Sequence, residues 1–232
     1  MRLCSLDPRR TVMGLLQQHR GEVGRFYAAR HEAGRPVAMG AWCVATTDDH
    51  VAAVVSDLCG GVPKPSASEA GAVTEVLTSS DRVMVLLEEA SVAFRMVATG
   101  AEESLHACDG ARFLEPAAMR GTACGCPPGL SDRRAAALAG RGPSPEVRLG
   151  FRLAGCPGLG VFSLVSTSWE LAEELPELAD ALRRAGAPLL CALVYERVDF
   201  VTRSGVPVSY RRPRVEIGGP SVLSPARMCL AV

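Results

Sequence analysis

Three cysteines in a turn-rich stretch near the middle of the chain place the strongest constraint on its fold. Cys108 precedes an Asp-Gly turn, and Cys124 and Cys126 flank a glycine just before a proline. A loop of this kind has no apolar core of its own, so its cysteines usually hold a metal that organises it. Three thiolates leave a tetrahedral site one ligand short. His106, Cys156 or water could complete it, and three plain thiols left from a lost site are the alternative.

Composition limits the class of protein. The 232 residues are 48% hydrophobic, enough for a packed core in one large domain or two small ones. Lys+Arg and Asp+Glu both number 25, which argues against a protein that binds nucleic acid mainly through its overall field. No apolar run reaches the roughly 18 residues of a membrane span. We therefore expect a cytoplasmic protein without a membrane partner, whose nine cysteines are thiols or metal ligands.

Apolar periodicity predicts many strands and a few helices. Strands are predicted at residues 37–46, 73–78, 82–87, 92–99, 147–153, 161–166, 189–202 and 206–217, with 63–68 as a loop and a tight turn at Ser204 and Gly205. Helices are predicted from Asp48 to Gly60, over 130–139 with Ser131 as the cap, and from Thr167 to Ala185 with a break at Pro176. This order favours an α+β fold with a mostly antiparallel sheet, a few short covering helices and a cysteine-containing loop knuckle.

The positions of the predicted strands and helices divide the chain into three parts. Residues 1–20 are predicted to be a loosely ordered start, and 218–232 a tail. The remainder, 21–217, is predicted to be a single α+β domain. Two subdomains within it, about 21–107 and 146–217, would be joined by the cysteine loop.

An ordered set of short segments carries a family resemblance. The first half contributes Gly-Arg-Pro-Val at 34–37 through Trp42, Ala-Thr-Thr at 45–47 and a helix ending in Gly-Gly at 60–61. The second half contributes Cys-Asp-Gly at 108–110, Cys-Gly-Cys-Pro at 124–127, Gly-Leu-Gly-Val-Phe at 158–162, Ser-Thr-Ser-Trp-Glu at 166–170, Phe-Val-Thr-Arg-Ser-Gly at 200–205 and Val-Ser-Tyr at 208–210. In order and spacing the chain resembles the recombination directionality factor-like family of phages and actinobacterial mobile elements over residues 21–217.

The resemblance implies a function without catalysis. Members of that family are accessory proteins that bind a large serine integrase and favour excision over integration, reaching DNA indirectly through the integrase. The sequence also favours a protein that is not an enzyme, because it contains no phosphate-binding loop motif, no His-Glu-x-x-His motif and no nucleophile-elbow motif. The competing interpretation is a zinc-knuckle structural or nucleic-acid-binding module of a mobile element, including a degenerate copy.

The resemblance also implies site residues. It places a further cysteine in the Gly-rich connector before the 147–153 strand, where this chain has Pro143. The predicted zinc ligands are therefore Cys108, Cys124 and Cys126, with a fourth ligand lost at Pro143. Candidate partner-binding residues are Trp169, Arg203 and Tyr210. The alternatives are core packing for the tryptophan, and protection of an edge strand for the arginines around the last hairpin.

Overall fold

The computed structural model describes residues 21–32, 35–68, 71–99 and 104–218. The predicted loose start at 1–20 and residues 219–232 of the predicted tail lie outside these ranges. Within them, no helix combines the length and the apolar character that crossing a membrane requires.

Eleven strands and three α-helices form within the described ranges, which confirms the predicted α+β fold with a mostly antiparallel sheet. The strands are β1 (Glu22–Glu32), β2 (Arg35–Thr46), β3 (Pro63–Ser68), β4 (Gly71–Leu77), β5 (Arg82–Thr99), β6 (Ser104–Cys108), β7 (Phe113–Glu115), β8 (Ser144–Leu153), β9 (Val161–Ser166), β10 (Leu189–Val201) and β11 (Pro207–Ile217). The α-helices are α1 (Asp49–Cys59), α2 (Leu130–Leu138) and α3 (Trp169–Ala185). Short 3-10 turns span Ala117–Met119 and Pro157–Leu159.

All the strands belong to one open sheet in the order β11-β10-β5-β8-β9-β1-β2-β4-β3, with β6 added to β5 and β7 added to β6. Among the described strands, β1 and β9 pair in parallel and the other pairs are antiparallel. The predicted last hairpin is confirmed, since β10 and β11 pair from Cys191↔Ile217 to Val201↔Pro207. Gly205 closes the turn with φ +82°, a backbone conformation that favours glycine.

The sheet curls strongly, so that strands distant in its order approach one another. Trp42 on β2 and Tyr195 on β10 have ring centroids 5.2 Å apart. The Trp42 indole N–H donates to the carbonyl of Asp81 at 3.1 Å, and the Tyr195 hydroxyl donates to the carbonyl of Ala28 on β1 at 2.9 Å. The curl encloses an aromatic core in which Phe26 is fully buried beside Trp42.

Two helices cover this core. The Asp48 carboxylate caps α1 as predicted, accepting the N–H groups of the first helical turn. Leu171, Leu178 and Leu182 of α3 are buried, as their helical spacing predicts. The cap of α3 is Ser168, whose hydroxyl accepts the N–H of Leu171 at 3.2 Å, so the helix begins at Trp169 and the predicted start at Thr167 is wrong.

Several other sequence predictions of local structure are wrong. Residues 63–68 form edge strand β3 instead of a loop, because an edge strand tolerates prolines that lack an N–H. Strands 82–87 and 92–99 are a single strand, β5, with a register shift between Leu87 and Val92 where we predicted a polar turn. Ser131 lies inside α2, and Gly129 occupies the cap position. Pro176 lies inside α3 without ending it.

Candidate metal centre

Strand β6 places two of the candidate ligands on one face. His106 and Cys108 occupy alternate positions, opposite Ala98 and Met96 of β5. Since alternate side chains of a strand point to the same side, the imidazole and the thiol face the same space. Cys108 is fully buried, and His106 is half-buried with its ring 4.6 Å from that of Phe113.

The loop that follows brings the other two cysteines back to β6. The Asp109 carboxylate accepts the N–H groups of Ala111 and Arg112 at 2.8 and 2.7 Å, which makes a tight turn. The N–H of Cys124 then donates to the carbonyl of Ala111 at 3.0 Å. Gly125 has φ +73°, a backbone conformation that favours glycine between the two cysteines. We call β6 and residues 109–128 the knuckle.

Four side chains meet in the knuckle. The ligand atoms of His106, Cys108, Cys124 and Cys126 all lie within 4.8 Å of one another. Cys126 Sγ is 3.8 Å from Cys108 Sγ and 3.5 Å from His106 Nε2. Tetrahedral zinc with bonds of about 2.3 Å to sulfur and about 2.0 Å to nitrogen requires separations of about 3.8 and 3.5 Å, respectively. The residues therefore could hold a metal ion, and the two separations from Cys126 Sγ match those that zinc requires.

The three cysteines come together as predicted, and the structure places one of the open fourth donors beside them. His106 joins the group, whereas Cys156 follows the opposite end of β8 from the knuckle. Pro143 is buried and lines the same cleft of about 170 Å³ as His106 and Cys126. The position where the resemblance implies a cysteine thus lies beside the group, and His106 is a candidate fourth donor within it.

An arginine that the sequence reading missed ties the knuckle together. Arg133 of α2 donates to the carbonyls of Gly110 at 2.8 Å, Pro128 at 3.2 Å and Pro127 at 2.5 Å. Gly110 has φ +100°, a backbone conformation that favours glycine, and it lies against the Arg133 guanidinium. One guanidinium therefore holds the segment after Cys108 and the segment after Cys126 together through hydrogen bonds to their carbonyl groups. Its position in the first turn of the helix after the cysteine loop was the available signal.

Burial and hydrogen bonds set the protonation of the knuckle. Burial raises the pKa of Cys108 to about 12, and burial also raises the pKa of Cys126. Burial acts in the same direction on Cys124, but hydrogen bonds from the Cys126 N–H and from the two neighbouring thiols outweigh it and lower its pKa. Burial lowers the pKa of His106, which favours the neutral imidazole that metals bind. A metal would therefore displace protons from the buried thiols.

The candidate partner-binding residues lie in two places outside the knuckle. Trp169 is the first residue of α3 and is half-buried. Arg203 is exposed in the β10–β11 turn, and Tyr210 on β11 is 39% exposed with its ring against Phe200. The structure brings Arg203 and Tyr210 onto one hairpin. Phe200 and Val201, both exposed on that hairpin, were missed as contact candidates.

Comparison with known proteins gives one family and no fold relative. Residues 16–210 match the recombination directionality factor-like family, described as Gp3-like. Because the match spans most of the 232 residues, the chain belongs to this family, which confirms the resemblance seen in its sequence. Membership assigns the chain to site-specific recombination and indicates a recombinase as its kind of partner. No solved structure matches the chain.

Proposed function

We propose that this protein is a cytoplasmic accessory factor, without catalytic activity of its own, that binds a large serine integrase and shifts it from integration to excision. The observation that carries the proposal is the family match over residues 16–210. The recombinase itself carries out both integration and excision. An accessory factor therefore acts by changing which conformation of the recombinase is favoured.

The energetic demand on such a factor is modest. A ligand shifts a two-state equilibrium only by its differential affinity for the two states. Moving a preference from 1:99 to 99:1 requires about 5.5 kcal/mol. A single well-packed protein contact supplies free energies of this size, so a non-catalytic domain suffices.

Pairing of the hairpin arginines supports action through a protein instead of through DNA. Phosphate contacts by unpaired arginine and lysine supply most non-specific DNA affinity. Four of the five arginines around the last hairpin make ion pairs within the described part of the chain: Arg197 with Asp199, Arg211 with Asp81, Arg212 with Glu196, and Arg214 with Glu174 and Glu196. Arginines engaged in this way attract phosphates less, and the formal net charge of zero agrees.

We further propose that the knuckle is a structural zinc site. His106, Cys108, Cys124 and Cys126 would hold the ion, completing the closed four-ligand set typical of structural zinc. Zinc, when bound, cross-links β6 to the loop that follows it. The loop needs such a link because most of residues 116–125 are exposed and contribute nothing to the core.

A gel-shift experiment tests the proposed partner. Labelled hybrid-site DNA is incubated with this protein alone, with purified cognate integrase alone, and with both. We expect no shift with the protein alone and a further retardation of the integrase complex when both are present. Tight binding to random DNA without integrase would instead establish the nucleic-acid-binding alternative.

A further inference from the structure

The last hairpin extends beyond the rest of the sheet. Strand β10 pairs with β5 only as far as Val194↔Arg82, whereas its pairing with β11 continues to Val201↔Pro207. The six pairs from Glu196↔Arg212 onward therefore form a two-stranded ribbon without a third strand among the described residues. At about 3.3 Å per residue the ribbon is roughly 20 Å long. An isolated two-stranded ribbon is only marginally stable in water.

Toward its tip, one face of this ribbon is apolar and open to solvent. Register places Phe200 opposite Val208 and Val198 opposite Tyr210, so these four side chains share a face. Phe200 is 48% exposed and Tyr210 39% exposed, and their rings meet edge to face at 6.3 Å. The Glu196–Arg212 ion pair lies at the base of this same face. The opposite face carries Arg197 paired to Asp199 at 2.9 Å.

We infer that the apolar ribbon face, formed by Val198, Phe200, Val208 and Tyr210, is the surface that docks on the integrase. This inference rests on the proposed function. The complementary surface on the integrase is an apolar cleft with a carboxylate at its end, because the exposed Arg203 at the ribbon tip makes no ion pair with any residue that the structure describes.

The dimensions of the ribbon argue against a second copy of this chain as the occupant. A face about 20 Å long and about 10 Å wide presents roughly 200 Å². A stable interface buries about 800 Å² on each partner. Two ribbons packed face to face would fall well short, whereas a cleft that encloses the ribbon from more than one side buries at least about twice the area of a single face.

DNA is also a poor occupant of this surface. A β-ribbon that enters a groove relies on several free cations against phosphates. Here Arg197 and Arg212 are held by Asp199 and Glu196, which leaves Arg203 as the one unpaired arginine of the described ribbon. Aromatic side chains at the centre of an open apolar face are instead typical of protein–protein contacts.

The test compares two ribbon variants with a matched surface variant. Phe200→Ser combined with Tyr210→Ser removes the apolar face, and Arg203→Glu reverses the tip charge. Leu138→Ser removes an apolar side chain that is 81% exposed on α2, remote in sequence from the ribbon. Affinity for purified integrase is measured by biolayer interferometry, and circular dichroism confirms folding.

We expect the double variant to bind at least about 30-fold more weakly, Arg203→Glu about 10-fold more weakly, and Leu138→Ser within twofold of the original protein. If the double variant does not fold, the test rests on the integrase affinity of Arg203→Glu, whose substitution lies in the exposed turn. Equal integrase binding by original protein and folded ribbon variants overturns the inference and leaves the proposed function standing. A dimer, or DNA binding without integrase, that the variants abolish also overturns it. Absence of binding by the original protein overturns the proposed function itself.

Discussion

The imidazole Nε2 of His106 lies 3.5 Å from the Sγ of Cys126, although twenty residues separate them in the chain. One side chain stands on β6 and the other on the loop that returns to it. Register between β5 and β6 fixes the first, and Arg133 fixes the second through the carbonyl of Pro127. The approach of these two side chains is therefore set by sheet pairing and by the helix that follows the knuckle, not by the spacing of His106 and Cys126 in the sequence.

Zinc retention should depend on His106. His106→Ala is expected to lower zinc affinity by more than about 100-fold, since loss of even an outer-shell partner costs 10–100-fold. Competition with a chromogenic chelator measures this affinity, and His50→Ala, an exposed histidine on α1, is the control. Equal affinities for the two variants would contradict the assigned ligand.

Pro143 gives a second, sharper test of the ligand set. Because Pro143 lines the same cleft as His106, Pro143→Cys should restore zinc affinity when added to His106→Ala. The same change alone should leave one zinc per chain, since four donors are already present. Metal content of the purified variants decides the matter, and a gain from Pro143→Cys in the original background would show that His106 is not a ligand.

Arg133 should stabilise the knuckle independently of metal. Arg133→Ala removes hydrogen bonds to three carbonyl groups, and the expected loss is about 2 kcal/mol. For a chain of this length that loss lowers the melting temperature by roughly 4–8 °C. Arg141→Ala, exposed beside the same cleft, is the control, and equal melting temperatures for both variants would refute the role.

The curl of the sheet should be sensitive to one hydroxyl. Tyr195→Phe leaves the carbonyl of Ala28 without its donor, and an unsatisfied buried acceptor costs about 1–3 kcal/mol. Tyr210→Phe removes a hydroxyl from an exposed ring and should change stability by less than about 0.5 kcal/mol. Urea unfolding monitored by circular dichroism compares the two. A Tyr195→Phe variant as stable as Tyr210→Phe would contradict the described contact.

Acid should weaken the start of α3. Burial acts to raise the pKa of Glu170, but its own backbone N–H, the Arg134 guanidinium at 2.8 Å and the Ser168 hydroxyl outweigh it and lower that pKa. A carboxyl with a depressed folded-state pKa contributes stability above its unfolded value, and that contribution is lost as pH falls through the folded value. Glu170→Gln should therefore cost about 0.5–1 kcal/mol at pH 7, because the pair is partly exposed.

The control for this prediction is the same pair of proteins at low pH. As the pH falls through the folded-state pKa of the Glu170 carboxyl, the stabilities of Glu170→Gln and the original protein should converge. A difference that stays unchanged over an acid titration from pH 7 would show that the carboxylate charge is not involved.

Elements with strong local signals were predictable from the sequence. The buried leucines of α3 repeat at helical spacing, and the Asp48 cap and the β10–β11 turn follow from short-range chemistry. Strand β3 was not predictable, because prolines in a short segment are typical of a loop. They are compatible with a strand only at the edge of a sheet, and the sequence alone does not show which strand lies at the edge. Strand β1 was missed because Arg25 and Tyr27 alternate with Gly24 and Phe26, which obscures its apolar face.

The candidate site was predictable in kind but not in full. Spacing of Cys124 and Cys126 indicated a metal knuckle, since two cysteines around a glycine fit one ion. Assigning His106 required the register of β6, and finding Arg133 required the packing of α2 against the loop. The register of β6 against β5 and the bond from Arg133 to Gly110 join residues far apart in the chain, so short-range sequence patterns could not supply them.

A recombination assay tests most directly whether this chain reverses the direction of a large serine integrase, as we propose. Purified cognate integrase is incubated with hybrid sites or with the phage and bacterial attachment sites, each with and without this protein. The account predicts that excision from the hybrid sites rises at least about 100-fold on addition of the protein, while integration falls. Excision that is equally efficient with and without the protein would contradict the account.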